Sequence, residues 1–144
     1  MATLYIWMPN DNNIGHCALQ LSDGTYISFW PNVSYGINDY LMGNSVPSSN
    51  ASNYDEDYKS ENNRPANQYK LPGLNEQLVK QYWNQHHGDN YMINSADCST
   101  MVENALRHAD YKNTAAYNAI RDFRLSVADK ASNGTMTKKV RKKI

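Results

Sequence analysis

The chain has 144 residues, in which 14 Lys and Arg balance 14 Asp and Glu. That length suits one domain able to bury a core without metals or disulfides, and the balanced charge excludes a global field that would recruit nucleic acid or an anionic membrane. No run approaches the ~20 apolar residues of a membrane span, so none is expected, and Met1-Ala2-Thr3-Leu4-Tyr5-Ile6-Trp7 lacks the basic-then-apolar layout of an ordinary export signal.

Leu4 to Met8 reads as a strand, followed by turn chemistry over Pro9 to Asn13 and a second strand from Ile14 to Leu21. A hairpin follows, with two competing registers: a two-residue turn at Asp23-Gly24, or a three-residue loop of Ser22, Asp23 and Gly24 with glycine left-handed. The three-residue loop sorts the side chains better. It puts Cys17, Leu19, Leu21, Ile27 and Phe29 on one face and His16, Ala18, Gln20, Tyr26, Ser28 and Trp30 on the other. Cys17 is thereby expected in the core, and Ser28 beside the histidine.

Residues 31–72 are rich in Asn, Ser, Tyr and Pro with little periodicity, apart from a short strand around Gln68 to Leu71. Such a connection reads as a mobile cover over a cleft. Its Asp55, Glu56 and Asp57 lack the ligand spacing and glycine of a calcium loop and read as a solvated acidic turn.

Leu74, Leu78, Val79, Tyr82, Trp83 and His86 recur at helical spacing, and Gly88 ends that helix. His86 and His87 point about 100 degrees apart and cannot share one ion. Met101, Val102, Ala105, Leu106 and Ala109 form the apolar stripe of a helix that begins at Cys98, with Ser95 or Asp97 as cap. A last helix runs from about Thr114 to Ala131, and residues 136–144 form a basic, flexible tail. One domain spanning 1–144 is expected, with no repeat, phosphate loop or zinc cluster and no metal or cofactor.

The chemistry gathers on His16 and Cys98. A helix N-terminus favours a thiolate through its unpaired N–H groups and dipole, and an imidazole on a neighbouring strand can take the thiol proton and return it to a leaving group. Against this stand the ordinary alternatives of a core cysteine and a structural histidine.

The pattern His16-Cys17-Ala18-Leu19-Gln20-Leu21-Ser22-Asp23-Gly24-Thr25-Tyr26-Ile27-Ser28, with Asp97-Cys98-Ser99-Thr100-Met101-Val102 much later, reverses the papain order of cysteine first. It resembles the circularly permuted NlpC/P60 branch of papain-like enzymes, which includes lecithin:retinol acyltransferase-like proteins and bacterial hydrolase and toxin domains. The resemblance covers about a quarter of the chain. It implies an α+β fold, a small antiparallel sheet packed against helices, with the site between the hairpin and the N-terminus of the cysteine helix. Where acyltransferase members carry a second histidine this chain has Ser28, which can orient the imidazole by a hydrogen bond but brings no charge; Tyr26 and Gln20 share its face as reserves.

The mechanism expected from these residues is deprotonation of Cys98 by His16, attack on an amide or ester carbonyl, and a thioester acyl-enzyme. The Cys98 N–H is a natural oxyanion donor, with Tyr91, Asn94 and Gln20 as candidates for the second. Peptide amide hydrolysis, on peptidoglycan peptides or a target-cell protein, is the first expectation. A chain made in the cytoplasm without an export signal would then be a toxin or effector delivered by a specialised secretion machine, with a cognate immunity or secretion partner. The alternatives are an acyltransferase or thioesterase of the lecithin:retinol type, and a non-catalytic binding module whose eleven tyrosines and three tryptophans make the contact surface.

Overall fold

The computed structural model describes residues 1–10, 13–36, 39, 41–93, 95–132 and 137–138. Its strands are β1 (Ala2–Trp7), β2 (His16–Gln20), β3 (Tyr26–Pro31), β4 (Tyr35–Gly36), β5 (Ser48–Asn50), β6 (Asn67–Leu71) and β7 (Thr137–Lys138). Four helices are described: α1 (Tyr54–Ser60), α2 (Glu76–His86), α3 (Cys98–His108) and α4 (Thr114–Ser132). The architecture is α+β. An antiparallel sheet of five strands runs in the order β5-β3-β2-β1-β6, and β4 pairs separately with β7.

The hairpin takes the three-residue register. Ala18 lies opposite Ser28 and Gln20 opposite Tyr26, the Leu21 N–H donates to the Thr25 carbonyl at 2.8 Å, and Gly24 sits at φ +92°. Asp23 Oδ1 accepts from the Thr25 N–H at 2.9 Å, the side-chain turn for which Asp is favoured here. Alternation then divides the sheet as the pattern requires. Ala2, Leu4, Ile6, Cys17, Leu19, Ile27 and Phe29 share a buried apolar cluster with Val79 and Trp83 of α2, Met101, Val102, Ala105 and Leu106 of α3, and Ile120, Phe123 and Val127 of α4. The opposite face carries Trp7, Ala18, Tyr26 and Trp30 in a second cluster, against which Tyr54 of α1 packs.

The chain enters β2 through Gly15, at φ +83°, where an added Cβ would stand 2.1 Å from the Trp7 carbonyl oxygen. Only glycine allows that approach between the end of β1 and the start of β2.

Three sequence expectations are revised. The first strand begins at Ala2, because Ala2 and Thr3 pair with Leu71 and Lys70 of β6, and it ends at Trp7, just ahead of Pro9. Residues 31–72 are more than a cover: besides the expected strand near Gln68 to Leu71, which is β6, they hold β4, β5 and α1, and they supply both edge strands of the sheet. Finally, the acidic triplet is no solvated turn. It forms the first turn of α1, capped by Asn53, whose side chain accepts from the Glu56 N–H at 3.0 Å, and Asp57 within it is fully buried. The helices near 74–86 and 114–131 stand within a residue or two of expectation. Of the basic tail, Thr137 and Lys138 form β7, while 136 and 139–144 lie outside the described residues. Among the described residues no helix is long and apolar enough to cross a membrane.

Candidate functional site

Cys98 is the first residue of α3, and Asp97 before it is the N-cap. The Asp97 carboxylate accepts from the Thr100 N–H at 2.9 Å, and the Thr100 hydroxyl oxygen accepts from the Asp97 N–H at 2.7 Å. This reciprocal pair closes the helix start, where a cap is worth about 1 kcal/mol. A second tie comes from α4. Arg124 Nε donates to Ser99 Oγ at 3.1 Å, Ser99 Oγ donates to Asp97 Oδ1 at 2.8 Å, and Arg124 Nη1 pairs with Glu103 at 2.8 Å. Cys98 is thus held in place by its neighbours on both sides. It packs in the apolar cluster with Cys17 and is 2% exposed.

His16 is the first residue of β2 and is completely buried on the opposite face of the sheet. Trp30 stacks on its ring at 4.2 Å and Trp7 lies 5.9 Å away. Its Nε2 is 2.8 Å from Ser28 Oγ and 3.3 Å from Asp57 Oδ2. Asp57 is the hub of this face. It accepts from Tyr26 OH at 2.6 Å and Ser28 Oγ at 2.7 Å on Oδ2, and from Trp30 Nε1 at 2.8 Å on Oδ1. Burial works against its charge, but the positive charge of His16 and hydrogen bonds from His16, Tyr26 and Ser28 outweigh it and hold the carboxyl below the ordinary carboxylate range. Tyr26 is pushed far the other way, first by burial and then by the Asp57 charge, so it stays a neutral donor.

The structure therefore brings His16, Ser28 and Tyr26 together around a residue that sequence reasoning set aside. A signal for Asp57 was present. Tyr54, Asp57 and Tyr58 fall at i, i+3 and i+4 after an Asn cap, so a carboxylate sits on the aromatic face of a short helix, which a surface turn would not arrange.

The other candidates are placed as follows. Gln20, near the turn end of the hairpin, accepts from Tyr5 OH at 3.2 Å. Tyr91 is buried on the apolar side with its ring stacked on Phe29 at 5.9 Å, and its backbone pairs with Val46. Asn94 lies outside the described residues. The Tyr91 to Phe29 contact brings the approach to α3 to the end of the hairpin at which His16 lies, since Phe29 follows Ser28 away from the turn. His86 pairs with Asp89 at 2.8 Å, and among the described residues no group of three or more His, Cys, Asp or Glu could hold a metal ion.

What the arrangement can do chemically follows from its two halves: a thiol at a capped helix N-terminus, and an imidazole backed by a buried carboxylate through its Nε2. Comparison with protein-family models, curated proteins and solved structures finds no match.

Proposed function

We propose that the protein is a cysteine hydrolase, an amidase or peptidase, that works through a thioester on Cys98 with His16 as the base, on a permuted papain-like fold of NlpC/P60 type. The observation that carries this reading is the placement of both residues as the first of their elements, Cys98 on the capped α3 and His16 on β2, with the approach to α3 anchored at the His16 end of the hairpin. His16 takes the thiol proton, the thiolate attacks the carbonyl carbon, and the proton passes to the leaving amine as the tetrahedral intermediate collapses. Water then hydrolyses the thioester. The Cys98 N–H, at the first position of α3, is the oxyanion donor in this reading. His16 is fully buried and Cys98 2% exposed, so this reading requires the surrounding chain to open before substrate can reach them.

Peptidoglycan peptides or a protein of a target cell are the substrates proposed, in the setting of a delivered toxin or effector with an immunity or secretion partner. Acyl transfer to an acceptor other than water is the same chemistry with a different second step.

One observation favours a second reading: alternation sends His16 to the α1 face while Cys98 packs on the other. In that reading the His16 network only fixes α1 to the sheet, and the protein is a binding module on the same scaffold. Iodoacetamide labelling at pH 6, followed by mass spectrometry of each cysteine, separates the two. A hydrolase gives selective modification of Cys98 that His16→Ala slows at least tenfold, together with cleavage products from purified peptidoglycan or target-cell lysate that Cys98→Ala abolishes. Equal and slow labelling of Cys98 and Cys17, unchanged by His16→Ala, overturns the hydrolase.

A further inference from the structure

We propose that Asp57 is a positioning residue that fixes the proton of His16 on Nε2, directly and through Ser28, and so makes Nδ1 the nitrogen that exchanges a proton with the Cys98 thiol. The last step of this inference rests on the hydrolase reading; the hold on the proton does not.

The argument is an inventory of protons. A carboxylate only accepts, and each hydroxyl has one hydrogen to give. Tyr26 gives its proton to Asp57 Oδ2 at 2.6 Å, and Ser28 gives its own to the same oxygen at 2.7 Å. Ser28 Oγ therefore has no proton left for the imidazole, and the 2.8 Å contact to His16 Nε2 needs a hydrogen from the ring. The 3.3 Å approach of Nε2 to Asp57 Oδ2 makes the same demand, because a bare nitrogen there would face a carboxylate lone pair. Trp30 Nε1, a donor only, lies 3.0 Å from Ser28 Oγ and 2.8 Å from Asp57 Oδ1 and supplies no alternative acceptor. Neutral His16 consequently carries its hydrogen on Nε2 and its lone pair on Nδ1.

Proton transfer then balances simply. The S–H bond of Cys98 breaks, an Nδ1–H bond forms, and the products are a thiolate and an imidazolium whose charge is matched by Asp57, which stays ionised throughout. Asp57 thus supplies the charge that Ser28 alone cannot. The ionisable groups facing this unit are Asp57 from α1 and Tyr26 from β3, with Tyr5 from β1 and Tyr54 from α1 around Tyr26. Its position is over-determined by contacts from three elements, as expected of a group whose orientation matters more than its reach.

Two measurements on the full chain test this. In a long-range proton–nitrogen spectrum of the wild type at pH 8, neutral His16 is expected to show the Nε2–H tautomer; an Nδ1–H tautomer overturns the proposal, whatever the variants do. In the Cys17→Ala background, the rate of Cys98 alkylation by iodoacetamide is followed from pH 4 to 9. Asp57→Asn removes the charge that favours the imidazolium, so it is expected to move the low-pH step downward by about one unit and, by depleting the thiolate–imidazolium pair, to slow labelling at pH 6 by about tenfold, with an unchanged circular dichroism spectrum. A folded Asp57→Asn with the wild-type profile overturns the role in proton exchange. Should Asp57→Asn fail to fold, the wild-type tautomer decides. An inert Cys98 in a wild type that shows Nε2–H defeats the hydrolase reading and the exchange with Cys98, and upholds the hold on the proton.

Discussion

The two faces of the sheet are built from the same three strands and obey opposite rules. On one, Leu4, Ile6, Cys17, Leu19, Ile27 and Phe29 meet three helices in a cluster where shape and apolar area decide the packing. On the other, Trp7, His16, Tyr26, Ser28 and Trp30 meet one short helix through a carboxylate, and each polar contact there is a donor aimed at a specific acceptor. An apolar face tolerates a change of shape at a graded cost, whereas a buried charge tolerates almost nothing once a partner is removed. A chain this small has reason to segregate them: the first face supplies the folding free energy that the second consumes in desolvating a carboxylate.

The sharpest way to break the contrast is one truncation on each face, read against pH. Phe29→Ala removes a fully buried ring stacked on Tyr91 and is expected to destabilise by about 3 to 5 kcal/mol, by the same amount from pH 7 to pH 4. Urea midpoints across that range check both the size and the flatness. Asp57→Ala is expected to destabilise by a comparable 3 to 5 kcal/mol at pH 7, about what breaking a buried pair costs. Its dependence on pH differs. The carboxyl titrates below its ordinary value of 3.8 in the folded chain, so the unfolded chain takes up its proton first as pH falls. The contribution of Asp57 is full above that value and is lost as pH drops through the folded one, so the gap between wild type and Asp57→Ala narrows toward pH 3. A gap that stays constant would mean that folding does not shift the carboxyl, and one that widens as pH falls would mean that it is neutral in the fold.

The smallest effects sharpen the comparison further. Cys17→Ala, on the apolar face, is expected to lower stability by about 1 kcal/mol and leave turnover intact. Ser28→Ala, on the polar face, is expected to lower turnover threefold to tenfold, the worth of one neutral hydrogen bond of about 0.5 to 1.5 kcal/mol. Melting curves and turnover measured side by side give the test; the reverse pattern would exchange the roles of the two faces.

Much of this was legible in the sequence because it is periodic. Alternation and the Ser22-Asp23-Gly24 turn set the hairpin register, which in turn predicts the pairing of His16 with Ser28. The stripe from Met101 to Ala109 and the Asp97 cap mark α3. What stayed hidden was non-local. Asp57 reaches Ser28 and His16 across a segment without strong periodicity, and burial of a single carboxylate leaves no trace in composition. Within residues 31–72 β6 was legible near Gln68 to Leu71, but β5 is equally hard to read, since Ser48-Ser49-Asn50 has no apolar alternation and is a strand only because β3 offers it an edge. The helical spacing of Tyr54, Asp57 and Tyr58 was the one available clue.

The tight passage at Gly15 has a consequence in the language of mutational tolerance. Any amino-acid substitution there adds at least a Cβ, which would stand 2.1 Å from the Trp7 carbonyl oxygen on a backbone already at φ +83°. Gly15 and His16 would therefore both score as intolerant in a saturation scan, side by side, for unrelated reasons. Gly15 has no chemistry to lose, and its variants fail by not folding; His16 variants that fold and fail are the informative ones. Invariance at this dipeptide, read without melting data, would credit the glycine with a chemical role when only its backbone conformation is at stake.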